Sequence, residues 1–518
     1  MGPQRIAALV LAAASVTLAL GGCAVGPAWH RPVDPASPGY APTPAEPETV
    51  AAPVAGGQNQ RLAAGRDIPF EWWQLFRSAP LDDLIRSSLA ANPSVSAAQA
   101  ALAQARELVK AQRGAFFPSF AANYQAERHK ISGNTNSSQT IGVQGNGENK
   151  LPAVPEVPGS VNANPRNLPS YYSFYTAQLT VGFVPDVLGS NRRQVESLTA
   201  QADGQRFALE ATYVTLAANV AAAAILDASL HAQIETTRQI IAADREALVI
   251  LHAQLRAGFA MRIDVAAAES ALAQSEATLP PLRQQLEAAQ DLLRALSGRL
   301  PTADVAKFEL DNLQLPPELP ISLPGKLLEQ RPDVRAAEAA LHAANADVGV
   351  ALAAMLPEVS VSAQYGGNAT QMNRMFAGGG PFWNVIGDVN QPVFAGGTLV
   401  HQKRAADAAL RQAAALYRGT VIAAYQNVAD NLHAVFCDAR LLAAEAQAED
   451  AARTAYELSK RQQALGYATY LAVLGAETSY RQATLARIQA EAARYGDTVA
   501  LVLALGGGWW NRPEVAQR

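Results

Sequence analysis

One stretch of this sequence occurs twice, and the duplication limits the folds open to the chain. Residues 92–127 read NPSVSAAQAALAQARELVKAQRGAFFPSFAANYQAE, and residues 331–366 read RPDVRAAEAALHAANADVGVALAAMLPEVSVSAQYG. Displaced by 239 residues, Val95 meets Val334, Ala98 meets Ala337, Leu102 meets Leu341, Ala105 meets Ala344 and Val109 meets Val348. Steps of three and four mark one face of a helix. Pro93 and Pro332 coincide at the helix starts, where a missing N–H costs little. Pro118 and Pro357 coincide where each helix must stop. The period then changes to two: Phe120, Ala122 and Tyr124 alternate with Ser119, Ala121 and Asn123, and Val359, Val361, Ala363 and Tyr365 alternate with Ser360, Ser362 and Gln364. Period two is a strand with one apolar and one polar face. Each half therefore begins with helix 93–115 and strand 117–128, or helix 333–354 and strand 357–366.

The copies continue in parallel. A second strand is predicted over 171–184, with Tyr171, Tyr172, Phe174 and Tyr175 clustered at one end; such a cluster fits a membrane-boundary girdle or an aromatic core patch. Its counterpart is predicted over 382–394. Long helices follow. Tyr213, Val220, Ile234, Ile241, Leu248 and Leu255 sit on a seven-residue spacing, with Asp227 the polar intruder. The other half shows Ala414, Val421, Val428, Val435 and Leu442. A period of 3.5 predicts supercoiled packing. The run 191–256 amounts to roughly 100 Å at 1.5 Å per residue. Gly258 suits the turn that ends it, and Gly466-Tyr467-Ala468 repeats Gly258-Phe259-Ala260 at an offset of 208. A helix restarts at Asp264 and runs to about Ser297, with Pro280-Pro281 expected to kink or interrupt it. The fall in offset comes from a polar insert, 129–169, whose counterpart around 367–380 is shorter; insertions confined to one loop type place those loops on one face.

At the N-terminus, Ile6–Leu20 is an apolar run of secretory length, short for a membrane span. Leu20-Gly21-Gly22-Cys23 resembles a bacterial lipobox, so Cys23 is expected to be acylated and to become the mature N-terminus, and Ala24 after it points to the outer membrane. Residues 24–69 are proline-rich without apolar period and read as a tether. Trp72 and Trp73 head an amphipathic segment, 70–93, that is expected to pack the tether onto the body. The expected divisions are a signal peptide (1–22), a lipidated tether (23–70), a first repeat (71–300), a second repeat (318–510) and a tail (511–518).

Composition excludes several classes. A net charge of −4 offers no nucleic-acid surface. Charged residues are 17 %, against about 25 % in soluble proteins. The seven histidines are scattered, without HExxH, CxxC or P-loop spacing, so neither an enzyme nor a metal site is expected. Cys437, inside a long helix, reads as a small buried packing residue.

Four amphipathic strands cannot close a barrel, and an open sheet edge cannot sit in lipid. Several copies must pool strands; two would give eight and three twelve, both permitted. The fold class is an α+β membrane protein whose β-barrel continues into long helices. GCAVGPAWHRP (22–32), WWQLFRSAPLDDLI (72–85), RPDVRAAEAALHAANADVGVA (331–351), QPVFAGG (391–397) and LGGG (505–508) resemble the TolC-like outer-membrane efflux proteins, in their NodT/OprM-like lipoprotein branch. The resemblance implies a homotrimer with one twelve-stranded barrel and a helical tunnel reaching into the periplasm. It also implies work with a periplasmic adaptor and an inner-membrane pump of RND type, and no cofactor beyond the lipid on Cys23. It places the constriction at the two helix turns. Leu471 matches a leucine ring; Gly475 stands where an aspartate ring is usual. Asp264 matches a family gate position and equally reads as an N-cap; its family partner falls at Ala468, leaving Arg262 as a local substitute. The competing readings are a duct for type I protein secretion and, from another class, a periplasmic coiled-coil adaptor or structural lipoprotein. The latter leaves the four strands unexplained.

Overall fold

A computed structural model describes residues 24–33, 39–40, 46–130 and 171–512. Cys23, the apolar leader and most of the polar insert lie outside the described residues. In chain order the elements are β1 (Arg61–Ala64), α1 (Ala79–Ala91), α2 (Pro93–Arg113), β2 (Ser119–Lys130), β3 (Tyr171–Phe183), α3 (Ser190–Arg256), α4 (Arg262–Leu296), β4 (Glu318–Ile321), α5 (Pro324–Gln330), α6 (Pro332–Ala353), β5 (Glu358–Ala369), β6 (Pro381–Asn390), α7 (Thr398–Ala464) and α8 (Tyr470–Ala504). The repeat holds at the level of elements. Both α3 and α7 have 67 residues, and both α4 and α8 have 35.

One unit comprises residues up to Val25, 111–193 and 349–401. Its sheet is antiparallel in the order β2-β3-β5-β6. Directly opposed residues share a face. Phe120, Val181, Ala363 and Val385 form one such row, and Ala122, Leu179, Tyr365 and Trp383 the next. The alternate rows run Ala121, Thr180, Gln364, Asn384 and Gln125, Thr176, Asn368. The alternation of each strand thus adds up to one apolar and one polar face. Phe120, Tyr365, Trp383, Val385 and Val389 are exposed on the apolar one. The aromatic cluster does not share a face. Tyr171 and Tyr175 lie on the apolar side, while Tyr172 stacks on His129 across the other. Period two enforces this split.

The second unit comprises 26–110, 194–348 and 402–518. Val220, Asp227, Ile234 and Ile241 of the α3 seam are buried, as are Val421, Val428, Val435 and Leu442 of α7. Asp227 is fully buried because it has work for both oxygens. Gln290 Nε2 of α4 and the Phe308 amide each donate to it at 3.3 Å, which fastens the linker to the helices. Trp72 and Trp73 are buried, and Trp73 Nε1 donates to Asp82 at 2.8 Å, so they pack the body as expected.

Three details depart from the sequence reading. Of the kink or interruption expected at Pro280 and Pro281, the interruption does not occur: α4 continues through both. Both prolines are exposed, so the carbonyls they leave unpaired are open to solvent. Cys437 is exposed, lying outside the buried stripe formed by Val435, Ala439 and Leu442. The described part of the tether is docked: β1 pairs in parallel with β4, and Ile68 and Gln60 have no exposed surface.

The LGGG turn shows what fixes the end of α8. Gly506, Gly507 and Gly508 all have positive φ, and a Cβ at Gly508 would lie 2.5 Å from Pro69 O. Gly508→Ala is expected to lower stability by about 1–3 kcal/mol. Thermal unfolding of the purified protein measures this, and an unchanged midpoint would mean the turn reshapes without strain.

Candidate functional site

The candidate site lies at the two helix turns, both inside the second unit. α3 ends with Gly258 at φ 79°, and α7 with Gly466 at φ 80°. Phe259 N donates to Gln254 O at 2.8 Å and Gly258 N to Leu255 O at 3.1 Å; Tyr467 N donates to Gln462 O at 2.8 Å and Gly466 N to Gln463 O at 3.0 Å. Each is a complete Schellman motif, in which a left-handed residue lets the chain satisfy its last carbonyls. The motif places Phe259 and Tyr467 outermost, 85 % and 84 % exposed, flanked by exposed Met261, Ile263 and Leu465. Two apolar tips of this kind are ready to meet a partner.

The predicted residues divide. Asp264 Oδ2 accepts the Met261 amide at 2.8 Å; Met261 is the N-cap of α4, and Asp264 stands at the third helical position, returning a bond to the N-cap amide instead of serving as the expected N-cap itself. Arg262 is exposed and makes no ion pair among the described residues. Leu471 is half-buried on the first turn of α8, where Thr469 Oγ1 accepts Ala472 N at 3.2 Å. Gly475 is exposed, with nothing near the place a Cβ would take, so no carboxylate stands there.

The polar ties near the turns come instead from three consecutive residues of α3. Asp244 accepts Ser275 Oγ of α4 at 2.6 Å on one oxygen and Thr478 Oγ1 of α8 at 3.3 Å on the other. Arg245 donates to Glu276 of α4 at 2.6 Å. Glu246 accepts Tyr470 OH of α8 at 2.8 Å, a bond that holds the phenol above its usual range. Consecutive residues point about 100° apart on a helix, so one short segment ties α3 to both neighbours. Beyond it, Tyr456 of α7 stacks on Tyr480 of α8 at 6.1 Å, and Arg481 pairs with Glu477 at 3.4 Å. Sequence reasoning passed over these groups. The signal was a run of three charged residues, Asp244-Arg245-Glu246, between apolar seam positions Ile241 and Leu248.

The described residues contain no cluster of metal-ligating side chains. The arrangement is a pair of tied hairpin tips, with chemistry suited to holding and releasing helices.

The profile of the family described as outer membrane efflux protein matches residues 84–299 and 323–507. The toluene efflux pump outer membrane protein TtgC of Pseudomonas putida is 28 % identical over 510 residues, covering 97 % of this chain and 96 % of that one. The pyoverdine export outer membrane protein OpmQ of Pseudomonas putida is 27 % identical over 472 residues, covering 90 % and 94 %. Among solved structures, the outer-membrane channel OprN superposes with a TM-score of 0.75 at 26 % identity, covering 94 % of this chain and 100 % of that one. The CmeC outer membrane channel of Campylobacter jejuni shares the fold, with a TM-score of 0.78 at 18 % identity, covering 96 % and 97 %.

Asp264→Ala is expected to speed hydrogen exchange across 261–265 about fivefold, the loss of a cap worth about 1 kcal/mol. Asp264→Asn, which keeps an acceptor, should exchange more slowly than the alanine variant. Unchanged exchange in Asp264→Ala would remove the capping role.

Proposed function

Because the chain belongs to the outer membrane efflux protein family, we infer that it is the outer-membrane exit duct of a tripartite efflux system. In such a system an inner-membrane pump, here of RND type, supplies the energy and a periplasmic adaptor bridges the two. The duct itself hydrolyses nothing. The compounds in the relatives' names, toluene and pyoverdine, point to small organic cargo for this chain.

The sheet carries this reading. Its apolar face is exposed, and β2 and β6 each have one edge unpaired among the described residues. Lipid tolerates the face and forbids the edges. Edge-to-edge pairing of β2 with β6 of the next copy resolves both, and three copies give twelve strands from four each. The family resemblance favours three copies over two. The 67-residue helices then continue the pore as a helical barrel into the periplasm, roughly 100 Å deep. On this reading the chain divides as signal peptide 1–22, tether 23–70, repeats 71–300 and 318–510, and tail 511–518.

Lipidation of Cys23 rests on the lipobox sequence, Cys23 itself lying outside the described residues. The next residues are well seated. Val25 N donates to Leu188 O at 3.1 Å, Arg193 Nε donates to Val25 O at 3.0 Å, and a Cβ at Gly189 would lie 2.5 Å from Ala24 Cα. A residue fixed here delivers an acyl chain to one place on the body.

The gate, on this reading, is the closed set of tips. Leu471 narrows the mouth, and the ties from Asp244 and Glu246 to α8 hold it. Asp264 adds the one carboxylate near the first turn, in place of a ring at Gly475, and Arg262 lies beside it. Three carboxylates at a narrow mouth favour cations.

Planar-bilayer recording tests the reading. The wild type is expected to form low-conductance channels and to migrate on gels as an oligomer that boiling dissociates. Leu471→Ala and Tyr470→Phe should each raise conductance severalfold and sensitise cells to bulky antibiotics. Wild-type conductance in both would take these residues out of the gate, and a protein that is monomeric in detergent would remove the duct.

A further inference from the structure

Residues 46–60 cross the α7–α8 pair as a strap. Arg440 of α7 donates to Glu46 at 2.6 Å. Arg494 of α8, with no exposed surface, donates to Gly56 O at 3.0 Å, Gln58 O at 2.6 Å and Thr49 Oγ1 at 3.1 Å. Gly56, at φ 65°, sits so close to Glu491 that a Cβ on it would lie 2.9 Å from Glu491 Cγ. Glu491 is 2 % exposed. One of its oxygens takes Arg487 Nη1 at 2.6 Å; the other, Oε1, is buried and accepts no hydrogen bond. Two turns along α8, Asp497 meets Asp438 of α7 side chain to side chain. Two carboxyls in contact must hold a proton between them. Asp438 Oδ2 is buried and receives no other donor.

We propose that the strap 46–60 is a pH-sensitive clasp, closed while Glu491 and Asp438 hold protons and loosened when they lose them. Burial pushes Glu491 up to about 7 against the opposing pull of Arg487. Burial, then the bond and charge of Asp497, pushes Asp438 up to about 7 against Arg494. The groups facing Glu491 are Arg487 on its own helix, Glu449 on α7 and Asp311 on the linker. A cavity of about 890 Å3 beside it adds His231, Glu235 and Arg238 of α3, Arg283 and Glu287 of α4, and Lys307 and Glu309. Asp438 faces Asp497 and Arg494. The strap brings only backbone and hydroxyl groups to this site, so nothing in it neutralises an ionised Glu491.

The sign follows from which state holds the proton. Lifting the strap rehydrates Glu491 and returns it toward the ordinary carboxylate value of about 4.3. A group with the higher value in the clasped state favours the clasp fully below the released value. That preference is lost as pH rises from about 4 to about 7, and is flat above. As Asp438 ionises, it also competes with the strap carbonyls for Arg494.

Hydrogen exchange of the full-length protein, corrected for intrinsic rates, reads the clasp directly. Peptides covering 49–58 are expected to be protected at least about tenfold more at pH 5.5 than at pH 8.5. The isosteric variants Glu491→Gln and Asp438→Asn should each show a smaller pH effect than the wild type, and the double variant should stay protected at both pH values. Equal wild-type protection at the two pH values overturns the proposal, as does an undiminished pH effect in both variants. A loss of protection spread equally over α6 and β5 assigns the effect to global loosening and equally overturns it.

Discussion

A strand edge is a row of N–H and C=O groups in search of partners, and the interior of a bilayer supplies none. Every other feature of this chain is arranged around that fact. The four strands present an apolar face that water would penalise and two outer edges that lipid would penalise more. Neither problem has a solution within one copy. On the proposed reading the repeat gives a route out of it: two similar halves, each with a strand pair of matched alternation, give a sheet whose two free edges can pair with those of further copies.

The helical part depends on buried apolar seams with a few polar groups set where they fix register. Apart from Asp227, the heptad positions of α3 are apolar or aromatic, and such a seam slides easily. Asp227 and the run Asp244–Glu246 oppose sliding. They form bonds to α4 and α8 that only one alignment satisfies. Each single exposed tie is worth about 1 kcal/mol or less, enough to shift an opening equilibrium severalfold. Several together discriminate between alignments, which apolar contact alone does poorly.

Much of this was legible before any coordinates. The 239-residue and 208-residue offsets recur in the start positions of α2 and α6, β2 and β5, and α3 and α7. Periodicity predicts such things well because it records which face is buried. It is silent on which polar groups meet across space. Nothing near Asp244 in sequence marks Thr478, and nothing near Gly56 marks Arg494. The tether was misread as lacking a core for the same reason: its order comes from donors supplied by α8, four hundred residues away along the chain. Cys437 went wrong because a small thiol fits either face of a helix, and only the phase of Val435 and Leu442 decides. At the turns, Gly258 and Gly466 are readable because positive φ singles out glycine, whereas Asp264, expected as an N-cap, stands three residues after the N-cap Met261 and accepts its amide.

The pairwise equal lengths of the long helices, 67 residues in α3 and α7 and 35 in α4 and α8, have a consequence for how such a chain can change. α3 and α8 are antiparallel, and the interval from Gln233 to Asp244 on one matches that from Thr478 to Gln489 on the other. A residue gained or lost in one helix would rotate everything beyond it by about 100° and misalign these contacts. Length variation in the shaft is therefore restricted to whole heptads, removed from or added to all four long helices in concert. The depth of the conduit becomes a quantised property, altered by simultaneous indels at four separated loci or left alone.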